Sequence, residues 1–419
     1  MHKSDIAVLL VLTCTSINAC ATSETDPERK KPGGFADAAG NDSSQDVQSE
    51  AEADSSADAA PDTSTGDASA DVVEAAADAP PDADAAADAA TAGSVVLVSR
   101  SASGLSLCAR QGAGAYATQT LALSAADTPA LAPTASGAML VVRNPTLGEL
   151  QWLSWSKAGA SWSSASSVAP PSSSLGSPAL ATSTSTTLAF LGTDFKFYVN
   201  RFTTTWQGTA PVLAGAIHSF GPTPPSVAVR AGEEALAFVG DDGKLYAQRS
   251  QAATFQPAQA ITTSGAPDKN VTPSVVARDV SQNPYLVVYA AQGGALHFSV
   301  GNGATWSSAQ SVGAGATSVG APALAALESG GALLAYRGSD DRLHVAEWNG
   351  TSFSSPSSPF PSTPITAPPA AARSSAGRAE IAWTNGGTLL VTTLGTSGYS
   401  TPVSVIASGQ QSVAVTYVP

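Results

Sequence analysis

The chain has 419 residues, 19 Lys+Arg against 33 Asp+Glu, and a formal net charge of -14. The acidity is local: residues 21–93 carry 18 Asp/Glu against Arg29, Lys30 and Lys31, whereas residues 94–419 carry 14 acids against 15 bases. The nearly neutral C-terminal part offers no electrostatic footprint for nucleic acid, and its wealth of Ala, Gly, Ser, Thr and Val argues against long helices and for short strands joined by turns.

Residues 1–20 read as a targeting segment. Lys3 precedes an apolar run from Ile6 to Leu12 that is too short to span a bilayer. The segment ends Ile17-Asn18-Ala19-Cys20, which resembles the bacterial lipobox, where a small residue precedes the lipid-accepting cysteine. Asn18 departs from that pattern. The resemblance implies lipidation at Cys20 and an extracytoplasmic lipoprotein of the cell envelope, placed at the outer membrane, with the lipid as its only membrane attachment. An ordinary secretory signal cut nearby is the alternative, and it exports the chain equally well. With Cys14 in the leader and Cys20 lipidated, only Cys108 remains, so no internal disulfide forms and Cys108 reads as a buried filler.

Residues 21–93 form an Ala/Asp-rich tether in which Phe35 is the one aromatic residue. Such a segment buries too little apolar surface to offset its chain entropy, so it is expected to be disordered, with a root-mean-square span of roughly 50 Å. It contains no Asp-x-Asp-x-Asp-Gly loop that would favour calcium.

Residues 94–419 carry an internal repeat. A proline followed by small and apolar residues opens each unit, at Pro129, Pro178, Pro225, Pro273, Pro322 and Pro369. Each unit then runs through a second apolar stretch, a polar turn, a third stretch, and a Gly-containing turn. An aromatic residue closes it: Tyr116, Trp162, Trp206, Phe255, Trp306, Phe353 or Tyr399. Four short strands per unit predict an all-β, seven-bladed β-propeller. The openings number six and the aromatics seven, because Val95 to Leu121 lacks an opening strand and Ser412 to Val418 lacks followers. Pairing these two ends completes the seventh blade and removes exposed sheet edges. Blades are numbered from the unit opened by Pro129, and the shared blade is the seventh.

The best-formed unit reads Pro322-Ala-Leu, Leu334-Ala-Tyr-Arg-Gly-Ser-Asp, Leu343-His and Trp348-Asn-Gly-Thr-Ser-Phe353. It resembles the repeat of the PLL-like bacterial lectins, seven-bladed propellers of the fucose-binding and sialidase-like superfamily. That resemblance implies multivalent binding of glycans or cell-surface polysaccharide. Ser299-Val-Gly301-Asn-Gly303-Ala-Thr305-Trp306 resembles the sialidase Asp-box, a turn-stabilising element, with Gly301 in place of the Asp.

A column after the second strand holds Arg100, Arg143, Leu191, Val239, Ala290, Arg337 and Thr384. A guanidinium fork in that column is able to bind two sugar hydroxyls. Arg337 with Glu347, ten residues on, resembles the Arg/Glu sugar clamp of fucose-binding propellers; a structural ion pair is the plain alternative. His297 and His344 follow the third-strand leucine, Tyr198 and Tyr246 fill the same column, and hydrogen bonding within the blade competes with a ligand role. The aromatic series reads first as contact between blades, with Trp306 retained as a stacking candidate. Asp241, Asp242, Asp340 and Asp341 read as turn residues. No catalytic residue, metal ligand or cofactor is assigned, and the reading is a binding protein rather than an enzyme. The alternative is a sugar-independent scaffold with a protein partner in the envelope, and a sialidase-like hydrolase ranks below both.

Overall fold

The computed structural model describes residues 93–419, apart from 113, 169–172, 212–222, 252–253 and 375–378. The leader, Cys20 and the tether up to residue 92 lie outside the described residues.

Each repeat proline stands directly before a short first strand, as Pro322 precedes Ala323–Ala326 and Pro178 precedes Ala179–Thr182. At that position its missing N–H costs no ladder bond. The second strand is apolar on both faces and buried throughout, as in Thr186–Leu191 and Tyr285–Ala290. It must therefore lie inside the blade between its neighbours. The strands form seven antiparallel sheets, each running first, second and third strand from the axis outward, with a fourth strand in all but one. Every hydrophobic cluster spans two adjacent blades, so the core is a ring of interfaces.

The seventh blade is shared by the two ends of the domain. Gln410–Val418 lies innermost and pairs with Ser94–Ser101, followed by Gly104–Gln111 and Ala117–Leu121. The register runs from Ser94 opposite Val418 to Arg100 opposite Ser412. The fourth strands are weaker than the sequence suggests. In blade five only three strands form a sheet, and the fourth is reduced to single bridges, Trp348 with Phe353 and Val345 with Ser357. Pro356, Pro359 and Pro361 remove N–H donors there. Elsewhere a proline splits the fourth strand, as Pro257 does between Thr254–Phe255 and Gln259–Ala260.

A motif recurs in the turns between second and third strands. Tyr198 donates to Asp194 at 2.9 Å, Tyr246 donates to Asp242 at 2.8 Å, and His344 Nε2 lies 2.9 Å from Asp340. Each ring stacks on a second-strand aromatic: Phe190, Phe238 and Tyr336 respectively. Gly192 and Gly338 sit beneath these rings, where a Cβ would come within 2.5 to 2.6 Å of the ring carbons. The turn's left-handed residue is Gly243 or Gly294 in blades three and four, but Asp341 in blade five and Phe195, at φ +61°, in blade two.

Candidate functional site: the cleft between blades six and seven

The column of three arginines is real in register. Arg100, Arg143 and Arg337 face Leu105, Leu150 and Leu343, as Leu191, Val239, Ala290 and Thr384 face their own third-strand partners. The guanidinium groups are engaged by the protein itself. Arg100 Nη1 donates to Ala126 O at 2.8 Å, and Arg337 Nη1 donates to Thr366 O at 3.1 Å. These acceptors are equivalent, because Ala126 and Thr366 each donate their N–H to the column residue of the following blade, Arg143 and Thr384. The two arginines thus tie one blade to the link entering the next. Arg337 also binds Asp341, from Nε at 2.9 Å and Nη2 at 2.6 Å, and Arg143 pairs with Asp127.

Glu347 does not meet Arg337. It sits opposite Leu333, four residues along the strand from the Arg337–Leu343 pair, a separation of roughly 13 Å. The turn lies between them in sequence, but the antiparallel ladder carries them to opposite ends of the blade. His344 is the blade-five member of the turn motif, bonded to Asp340 and stacked on Tyr336. His297 stacks on Tyr289, but Gly293 stands where the carboxylate would be. Its Nδ1 is buried without a partner, and burial pushes its pKa below the ordinary imidazole value. Trp306 packs between blades three and four. In the Asp-box-like turn, Asn302 Oδ1 accepts from the N–H of Ala304 and of Thr305 at 2.9 and 2.8 Å. A side chain at Gly301 would meet the Trp306 ring at 2.6 Å, which explains the missing Asp. Among the described residues no group of three His, Cys, Asp or Glu is placed to hold a metal ion.

All seven aromatics lie in the interface with the preceding blade, at the end of the blades opposite the arginine column. That end also carries charged residues not singled out from the sequence. Between blades two and three, Arg201 of a third strand forks onto Glu234 of a second strand, with Nη2 to Oε2 at 2.7 Å. Thr187 adds a bond at 3.1 Å, and Arg201 lies over the ring of Phe255. Burial raises the Glu234 carboxyl, but Arg201, Ser250 and Thr187 outweigh it and hold the pKa below the ordinary value. Here the fork itself occupies the guanidinium Nε and Nη2.

Between blades six and seven the same residue types form an open cleft of 540 Å³. Glu380, 1% exposed, accepts from Arg110 Nη2 at 3.2 Å and from Thr393 Oγ1 at 2.8 Å. The Arg110 guanidinium lies 5.0 Å from the Tyr116 ring centroid, and its Nε is buried without a partner. Burial pushes the Tyr116 hydroxyl well above the usual phenol range, so it stays protonated; that hydroxyl too lacks a partner. Ser397, Ser400 and the edge of Tyr399 complete the wall. The signal for these residues was a carboxylate inside an apolar second strand, Glu234 and Glu380, because such a group is buried only with a partner.

The fold is thus a seven-bladed β-propeller, all-β in class, with polar sites in its blade interfaces. No family model matches the sequence, and no curated protein matches it. Among solved structures the chain is similar to AofleA from Arthrobotrys oligospora, at 12% identity over 69% of this chain and 89% of that one, with a TM-score of 0.48. It is also similar to the Aleuria aurantia lectin, described as a six-bladed fucose-recognising propeller, at 12% identity over 68% and 96% with a TM-score of 0.46. A third is apo AztD from Citrobacter koseri, at 10% identity over 78% and 98% with a TM-score of 0.48.

Proposed function

We propose that this protein is a carbohydrate-binding propeller whose principal site is the cleft between blades six and seven. The observation that carries the reading is an open cleft walled by the Arg110–Glu380 ion pair together with Thr393, Ser397 and Ser400. A paired cation and anion leave the site near neutrality, which disfavours charged ligands. The guanidinium of Arg110, with the hydroxyls of Thr393 and the serines, suits a neutral polyhydroxy ligand. Two carboxylates facing one cleft, as a common glycosidase requires, are not assembled around Glu380 among the described lining residues.

The polar sets differ from blade to blade, so the reading places one strong site here rather than seven equal ones. Multivalency then comes from many copies on one surface, where avidity adds a factor of about 10² to 10⁴. The leader, Cys20 and the acidic tether support display on the cell envelope through a lipid anchor.

The test is a glycan array, including fucosylated glycans, probed with the protein and with Arg110→Ala. Loss of a charged hydrogen bond is worth about 1.5–3 kcal/mol, so affinity should fall roughly tenfold to a hundredfold. A blank array from folded protein refutes the reading and favours a sugar-independent envelope scaffold.

A further inference from the structure

The polar cleft has a neighbour. Ser374 and Tyr417 line it, and the same two residues line a second cavity of 630 Å³. The second cavity follows the propeller axis, since all seven first strands contribute to its wall, Leu131, Leu180, Val276, Leu324 and Val415 among them. Leu131, Leu180, Val276 and Leu324 are only half-buried although they lie inside the ring, so their free surface faces the channel. Its charged lining residues are compensated: Arg373 is ion-paired with Glu328 at 3.8 Å, and Pro419 O accepts from Lys157 Nζ at 2.6 Å. A five-residue strand along the axis spans roughly 16 Å, enough for a medium-length alkyl chain. Leu324, Ala371 and Val415 continue into a further cavity of 340 Å³ at the proline end.

The walls are mostly aliphatic, with Thr182, Arg373, Ser374, Thr416 and Tyr417 supplying the polar surface, and their aliphatic stretches do not hold ordered water well. They favour an apolar guest, and both cavity volumes fall in the range of ligand sites. We infer that the ligand is an amphiphile: a glycolipid or other alkyl glycoside, with its neutral sugar in the blade six–seven cleft and its chain passing over Ser374 and Tyr417 into the axial channel. The inference rests on the carbohydrate reading of the cleft and adds the chemical class of what the sugar is attached to. Tyr417 sets the rim between the two cavities. Its hydroxyl lies against the backbone at Gly93, where any Cβ would meet it at 1.9 Å.

The test is calorimetric titration of the full-length protein with methyl, hexyl and dodecyl β-maltoside, each below its micelle concentration. The dodecyl compound should bind saturably and at least tenfold more tightly than the hexyl, with the methyl weakest. Leu324→Trp and Ala371→Phe, which fill the channel from two blades, should each remove the chain-length gain; thermal melting checks that they fold. Arg110→Ala should weaken the dodecyl compound at least fivefold. Absence of dodecyl maltoside binding to folded protein overturns the inference. So does a chain-length gain that survives both channel variants, or one indifferent to Arg110→Ala. Glycan binding on the array with equal affinity for methyl and dodecyl glycosides overturns the amphiphile while leaving the carbohydrate reading standing. A blank array together with dodecyl binding that ignores Arg110 overturns both.

Discussion

Arg201 and Arg110 are chemically alike and should behave differently. Replacing Arg201 with Met strips the fork from Glu234, which is 2% exposed and left buried as an anion. Breaking a buried pair costs about 3–5 kcal/mol, and the 25% exposure of the Arg201 side chain points to the low end, about 3 kcal/mol. Both carboxylates keep a threonine donor, but Arg110 gives Glu380 one longer bond where Arg201 gives Glu234 a fork, so Arg110→Met should cost less, about 1 kcal/mol. At about 2 °C per kcal/mol for a domain of this size, the melting temperature should fall by about 6 °C and about 2 °C respectively. Thermal denaturation by circular dichroism measures the difference, and the array measures its counterpart in affinity. Arg201→Met should leave glycan binding intact while Arg110→Met reduces it. Equal losses of stability from the two variants, or loss of binding from Arg201→Met, would refute the distinction between the forked pair and the pair in the open cleft.

Other outcomes follow from particular residues. The pKa of Glu234 is depressed in the fold, so its stabilisation is present above the unfolded carboxyl value near 4.3 and is lost as pH falls through the folded value; melting curves from pH 7 to pH 3 should show this loss in the native protein and less of it in Glu234→Gln. Burial pushes the Cys108 thiol to about 11, so iodoacetamide at pH 8 should leave it unmodified until the protein is denatured, as mass spectrometry will show. Phe195 holds φ +61° where neighbouring blades use glycine, and Phe195→Gly should leave stability unchanged or raise it by up to about 1 kcal/mol in urea titration; a loss above that would mean its half-exposed ring is held by packing. In a bacterial host, Cys20→Ser should abolish incorporation of labelled fatty acid; retained labelling would place the lipid elsewhere.

The architecture was legible because it is periodic. Prolines before first strands, aromatics after third strands, and the unmatched ends at Val95 and Ser412 specify seven blades and their closure without any single strong local signal. The site was not legible in the same way. The arginine column stood out because three members share a register, yet Arg100 and Arg337 bind carbonyls of the next link, an acceptor invisible to side-chain patterns. Arg337 and Glu347 looked adjacent across a turn, but a ladder moves two residues apart as fast as their distance from the turn grows. The Arg110–Glu380 pair joins residues 270 apart in sequence across the closure of the ring. Sequence spacing within one unit carries no trace of such a contact, since it depends on which faces neighbouring blades present.

Closure also governs how the domain bears load. A pull transmitted through its N-terminal end enters at Ser94, and that strand is held along its length by Gln410–Val418 on one side and Gly104–Gln111 on the other. Such a force runs parallel to both ladders, so their hydrogen bonds resist in shear and must fail together instead of unzipping one by one. A propeller whose first strand sat at a blade's outer edge would peel. Here the first described strand is clamped in mid-sheet, so a load on that end meets two ladders at once.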